Sequence, residues 1–167
     1  MISAAPYTKL FPGLITQLTS TVSPYAAATY KWRRNGVAVA GATTQSLSVD
    51  VDGLGDYTLE VTDVNGCTNT SNKISITDSV TSNCFLYPNP SRGKFQVRYY
   101  SVANNVLPRT LTVYDGKGTR VLTQVFTITA PYARMDVDLT RFGKGVFWCE
   151  IGDRNGNRII VCRAVVD

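Results

Sequence analysis

The sequence predicts an all-β chain folded as two tandem antiparallel β-sandwiches, and three observations predict it. Helical periodicity is almost absent, and short alternating runs rich in Val, Thr, Tyr and Ile recur in its place. Clusters of Gly, Asn, Asp and Pro separate those runs at the spacing of short strands. Of the 167 residues, 44% are hydrophobic and 17% charged, which supplies a core and is too little charge for a disordered chain.

In the first half, Leu14, Leu18 and Val22 share one parity. So do Tyr30 and Trp32; Leu47, Val49 and Val51; Tyr57, Leu59 and Val61; and Ile74 and Ile76. Each set is expected to face the core, because alternate side chains of a strand emerge on opposite faces. Asn35-Gly36, Asp52-Gly53 and Asn65-Gly66 mark turns between them. Thr77 to Asn83 is polar and nearly free of large side chains, as a linker is. The chain is therefore read as residues 1–79, a linker 80–83, and residues 84–167. The second half repeats the pattern with Phe95, Val97 and Tyr99; Leu111 and Val113; Val121, Thr123 and Val125; Met135, Val137 and Leu139; and Phe147, Cys149 and Ile151. A run from Asn157 to Val166 closes it.

The net charge of +5 is uneven: residues 1–80 hold five Lys/Arg against six Asp/Glu, and residues 81–167 hold twelve against six. The arginines of the basic half are scattered singly, so a solvated surface is expected and no nucleic-acid partner. The absence of histidine excludes Ser/His/Asp and Cys/His catalysis and His-containing zinc sites within the chain. No apolar run approaches the length of a membrane span, so no membrane insertion is expected. Met1 to Leu18 lacks a basic leading region and is broken by Pro6, Lys9 and Pro12, so it does not read as a signal peptide. An exported protein would then carry this chain as part of something longer.

Trp32 in Tyr30-Lys31-Trp32-Arg33, followed by Gly55-Asp56-Tyr57-Thr58-Leu59, resembles immunoglobulin-like domains. There a Trp on the third strand fills the core, and a Tyr near the start of the sixth hydrogen-bonds back across a corner. The family's inter-sheet cysteines fall at Leu59 and near Leu18, so that bridge is absent from this half. The longer string from Tyr30 to Ile76 looks like the immunoglobulin-like repeats of large Bacteroidetes surface proteins. Those often pair the counterpart of Cys67 with an earlier cysteine, and none precedes it here.

The second half carries the more specific resemblance. Phe85-Leu86-Tyr87-Pro88-Asn89-Pro90-Ser91-Arg92-Gly93-Lys94-Phe95 is similar to the opening of the type A, C-terminal sorting domain of the type IX secretion system. Two prolines fix φ, Asn89 can form a turn-type side-chain bond, and Gly93 permits positive φ before a strand. Leu111 to Val121 resembles the family's strand, Gly-Lys turn and strand; Met135 to Leu139 and Gly145-Val146-Phe147 resemble a later stretch; Arg163-Ala164-Val165-Val166 resembles its basic-apolar ending. The resemblance implies a sorting signal that directs a secreted protein through the type IX system, by way of the periplasm, to the cell surface, with the first half as a spacer. It implies as partners the outer-membrane translocon and its sortase-like peptidase, with attachment to surface lipopolysaccharide after cleavage. It marks Pro88, Asn89, Pro90, Gly93, Gly145, Arg163, Val165 and Val166 for translocon recognition, and places the expected cleavage region between Asp78 and Asn83. A structural role in turns and edge pairing is the alternative for each marked position.

Four cysteines allow three pairings. If Asn155-Gly156 is a two-residue hairpin turn, Cys149 and Cys162 stand opposite one another, and a disulfide between them is feasible in an oxidising periplasm. Two buried thiols are the alternative. A bridge between Cys67 and Cys84 is not expected, since they should lie toward opposite poles. Asp136 and Asp138 share a strand face, and Asp50, Asp52 and Asp56 crowd a glycine-rich turn. Neither set has the spacing of a calcium loop, and alternation with apolar residues gives Asp136 and Asp138 a solvated face. No catalytic residue, metal site or cofactor is expected. The rival reading is a carbohydrate-binding or adhesive module, in which Tyr99, Tyr100, Tyr114, Tyr132 or Trp148 would form an exposed strip of rings.

Overall fold

Alternating apolar and polar residues fold the chain into short strands throughout the computed structural model, which describes residues 1–21, 27–102 and 107–167. Two units separate along the chain, Met1–Ser79 and Val80–Asp167.

The first unit runs β1 (Ile2–Ala5), β2 (Lys9–Leu10), β3 (Thr16–Ser20), β4 (Ala27–Arg34), β5 (Val37–Ala38), β6 (Ser46–Val49), β7 (Gly55–Asp63), β8 (Thr68–Thr70) and β9 (Ile74–Asp78). One sheet has the order β1-β3-β6 and the other β2-β9-β7-β4-β5, with β8 paired to β7. Ile2, Leu18 and Val49 from the first sheet meet Leu10, Trp32, Tyr57, Leu59, Val61 and Ile76 from the second in one core. The unit is a sandwich. Fully buried Trp32 donates its indole N–H to the Thr44 carbonyl at 2.9 Å, and the Tyr57 hydroxyl donates to the Gly53 carbonyl four residues upstream. This is the corner bond expected of Tyr57. Leu18 and Leu59 are both fully buried. Val51 does not continue the strand: Asp50 Oδ1 accepts from Asp52 N and starts a 3-10 turn over Val51–Gly53. Val22 lies outside the described residues.

The second unit runs β10 (Cys84–Tyr87), β11 (Lys94–Tyr99), β12 (Leu107–Tyr114), β13 (Arg120–Ile128), β14 (Met135–Asp138), β15 (Gly145–Gly152) and β16 (Arg158–Val166). Sheets β10-β11-β14 and β13-β12-β15-β16 enclose Phe95, Val97, Tyr99, Leu111, Val113, Met135, Val137, Phe147, Cys149, Ile151 and their neighbours. It repeats the sheet plan of the first unit in chain order, without a counterpart of β8 and with the Ser91–Val166 bridge in place of the β2–β9 pair. One expected face is reversed after its first residue: Val121 packs on the core as expected. Val125 is 67% exposed and Thr123 faces solvent, while Leu122 and Phe126 pack on the core. The ladder with β12 slips between Val113, opposite Leu122, and Tyr114, opposite Arg120. That bulge at Val121 moves the following parity by one.

Three hairpins use one turn that the sequence reading divided differently. In Asp63–Cys67, Asp115–Thr119 and Asp153–Asn157, the aspartate Oδ1 accepts from the backbone N–H two and four residues on. The glycine at the fourth position donates to the aspartate carbonyl and has φ between 81° and 85°. Asn155-Gly156 is thus part of a five-residue turn, not a two-residue one. Cys149 and Cys162 still end opposite one another, because the ladder slips again between Ile151 and Gly152.

They are not bonded to each other. The disulfide joins Cys84 to Cys162 with Cα atoms 5.9 Å apart, leaving Cys149 a buried thiol and Cys67 an exposed one. Opposite residues on neighbouring strands project side by side from the pleat, whereas residues facing across a sandwich project toward one another. β16 and β10 are the edges of facing sheets, so Cys162 meets Cys84 across the gap.

Candidate functional site

The marked residues come from two ends of the second unit's sequence and meet along β16. After β10 the chain crosses from one sheet toward the other through Pro88, Asn89 and Pro90. Neither proline has an N–H to offer. The Asn89 amide takes over: Nδ2 donates to the Arg163 carbonyl at 3.1 Å, and Oδ1 accepts from Val165 N at 2.8 Å. One side chain reads a strand edge as a neighbouring backbone would. Ser91 extends the pairing in parallel, its N–H reaching Val165 O and its carbonyl accepting from Asp167 N, each at 2.9 Å. In the first unit the β2–β9 pair is likewise parallel and bridges the same positions of the plan.

Gly93 turns the chain into β11 at φ 95°, and a Cβ there would lie 2.8 Å from Thr140 N and Cα. Its carbonyl accepts from Leu139 N at 2.6 Å. Gly145, at φ 156°, stands opposite Val166 across the β15–β16 ladder, and Val166 stands opposite Ser91 on its other side. Pro88, Asn89, Pro90, Gly93, Gly145, Arg163, Val165 and Val166 therefore belong to one connected corner. Val166 and Ser91 are buried in it, whereas Asn89, Pro90 and Arg163 are exposed. An open cleft of about 620 Å³ borders the corner, lined by Pro88, Pro90, Ser91, Arg92, Lys94 and Thr140 with Asp167. Ser91 was not singled out in the sequence, although its place just after the second proline makes it the first residue beyond the Pro-Asn-Pro run able to offer a backbone N–H.

Asp78 ends β9, and Asn83 immediately precedes β10. Between them Val80 and Ser82 are exposed without strand pairing, while the Thr81 hydroxyl lies 3.2 Å from the Tyr132 hydroxyl.

The carboxylates are each engaged in local structure. Arg134 binds Asp136 at 2.6 Å, Lys94 lies 3.4 Å from Asp138, and the Thr140 hydroxyl and N–H both donate to Asp138. The Thr140 bonds and then Lys94 hold the Asp138 carboxyl below the usual carboxylate range. Asp56 is lowered by Ser75 and then Lys73. Among the aromatic candidates, Tyr99 and Tyr132 are buried. Tyr132 meets Phe85 and Tyr100 edge to face at 5.8 and 5.6 Å. Only Tyr114 and Trp148 of the five stand opposite one another on an outer sheet face.

Residues 85–163 match the family model of the secretion system C-terminal sorting domain. A match to such a domain implies export to the cell surface or release, and no helix among the described residues is long and apolar enough to cross a membrane. No curated protein matches the chain. Among solved structures it is similar to murine CEACAM1b, at 18% identity over 99% of this chain and 98% of that one, with a TM-score of 0.37. It is similar to Clostridium thermocellum CbhA fibronectin(III)-like modules at 9% identity, over 100% and 94%, with a TM-score of 0.37. A set of carbohydrate-binding modules of the β-sandwich superfamily matches at 10% identity over 84% and 82%, again at 0.37.

Proposed function

We propose that the second unit is the C-terminal sorting signal of a type IX secretion cargo, and that the first unit is an immunoglobulin-like spacer. The domain division at 80–83, the Bacteroidetes source and a non-enzymatic role belong to this reading. The observation that carries it is the family match over residues 85–163, whose opening and closing motifs converge on β16. A translocon that reads this corner reads a folded object, because Asn89 is correctly placed only once β16 is in the sandwich. The exposed surface of Pro88, Asn89, Pro90 and Arg163, with Arg92 and Lys94 lining the adjoining cleft, is the recognition surface of this reading. Gly93, Gly145, Val165 and Val166 hold its shape.

Cleavage by the sortase-like peptidase falls between Asp78 and Asn83, before transfer of the cargo to surface lipopolysaccharide. The Cys84–Cys162 bridge lies wholly on the sorting side of that cut. Cleavage therefore releases the domain without reduction.

The test is a periplasmic reporter fused to residues 78–167, which keep the cleavage region, in a host with an intact type IX system and in a translocon-null strain. Export in the intact host alone supports sorting, with the released domain separating on a non-reducing gel. A folded reporter that stays periplasmic in both strains overturns it.

A further inference from the structure

The outer face of β13-β12-β15-β16 carries a row of which the sorting reading uses only Arg163, at one end. Across the four strands, Arg120 stands opposite Tyr114, Tyr114 opposite Trp148, and Trp148 opposite Arg163. All four side chains are on the solvent side. Their inward neighbours Val113, Phe147, Cys149, Cys162 and Ala164 are buried, while Trp148 is 45% exposed and Arg120 and Arg163 are exposed. Neighbouring strands lie about 4.8 Å apart, so the row is roughly 14 Å long, with two rings at its centre and a guanidinium at each end. Among the described residues, neither guanidinium is engaged in an ion pair or side-chain hydrogen bond.

We propose that the row Arg120–Tyr114–Trp148–Arg163 is a binding site for an acidic oligosaccharide. The chemistry follows from the residue types. The C–H faces of a sugar ring are apolar and stack on aromatic faces, and a Tyr or Trp held by a strand loses little side-chain freedom in doing so. The two guanidiniums offer forked donors to carboxylates at either end of the stacked rings. The next rungs supply hydroxyls from Thr110, Thr112 and Thr123 on the same face. The unit's charge, twelve basic side chains against six acidic, favours an anionic partner. Among the described residues, Glu150 is the one carboxylate on the strands of this face, one rung from Trp148 and opposite Thr112 and Val161. It opposes an acidic ligand, which makes its removal informative.

The experiment uses the 167-residue chain and its two tryptophans. Trp32 is fully buried, so acrylamide quenching reports on Trp148. Polygalacturonate is the probe, neutral dextran and poly-glutamate the controls. Polygalacturonate is expected to shield Trp148, with binding at least about ten-fold tighter than either control and weakened by salt. Tyr114→Ala and Arg120→Gln are each expected to weaken it roughly ten-fold at unchanged melting temperature, and Glu150→Gln to tighten it. The proposal is overturned if polygalacturonate gives no shielding. It is equally overturned if poly-glutamate binds as tightly, which would make the face a general polyanion or acidic-protein surface. A folded Arg120→Gln or Tyr114→Ala protein that binds as before overturns the assignment to this row.

Discussion

Asn89 stands between two residues that have no backbone N–H, and its side chain supplies both a donor and an acceptor to β16. The Pro-Asn-Pro string is legible in sequence as a rigid turn, but the partner of Asn89 is not, because it lies 74 and 76 residues away. Gly93 shows the same division. Positive φ was readable from its place before a strand, whereas the backbone of Thr140 against its missing Cβ was not. Gly93→Ala is expected to cost about 2–4 kcal/mol, from left-handed strain together with a clash that only backbone movement relieves. Gly118, at φ 81° with nothing within 4 Å of a built Cβ, isolates the strain alone. Gly118→Ala should cost about 1 kcal/mol. Thermal melting of the two variants checks the order, and equal losses would show that the Thr140 contact is immaterial.

At the scale of elements, one aspartate-first turn closes three hairpins, and its Asp-X-X-Gly spacing was available in the sequence at Asp63, Asp115 and Asp153. At Asp63 and Asp153 the Asn-Gly pair inside the turn suggests a shorter one, whereas Asp115-Gly116-Lys117-Gly118 has no such pair. The Cys84–Cys162 bridge was out of reach for another reason: it joins edges of facing sheets, and sheet order is not written in local periodicity. Cross-strand register placed Cys149 beside Cys162 correctly but could not say which neighbour lies across the core. Closing a loop between residues 78 apart in sequence, the bridge should contribute roughly 2–4 kcal/mol. Replacing Cys84 and Cys162 by Ser is expected to lower the denaturation midpoint of the second unit accordingly. Replacing Cys149 by Ala should leave the bridge in place. Non-reducing peptide mapping decides the connectivity, and alkylation of the native protein should label Cys67 alone.

For the whole molecule, the informative titration is alkaline. Burial pushes the Cys149 thiol from its ordinary 9.0 up to about 12. A pKa raised by folding means that the native state holds its proton more tightly than the unfolded chain. The contribution is complete below about pH 9 and is lost as pH rises toward about 12. Stability should therefore fall across that window by up to about 1.4 kcal/mol per pH unit more than in Cys149→Ala protein. Matching slopes in chemical denaturation would sink this account. On the acid side the sign reverses. Asp56, Glu60, Asp138 and Asp153 are all held below their ordinary values by hydrogen bonds, from Ser75, Arg33, Thr140 and Asn157 first in each case. Their contributions are present above the ordinary carboxylate range and fade as pH falls through it.

The amino-acid sequence by itself determined that this protein is all-β, which residues of most strands face a core, and that its second half resembles a sorting domain. Those properties are local: side-chain parity, turn residues and short motifs act within a few positions of one another. Tertiary structure alone decided the reversed face of β13, the partner of Cys162, the closure of Asn89 on β16, and the row of Arg120, Tyr114, Trp148 and Arg163. Each depends on a bulge that shifts register or on which edges and strands become neighbours. That choice is made by burying both sheets against a common core, and no stretch of sequence carries it alone.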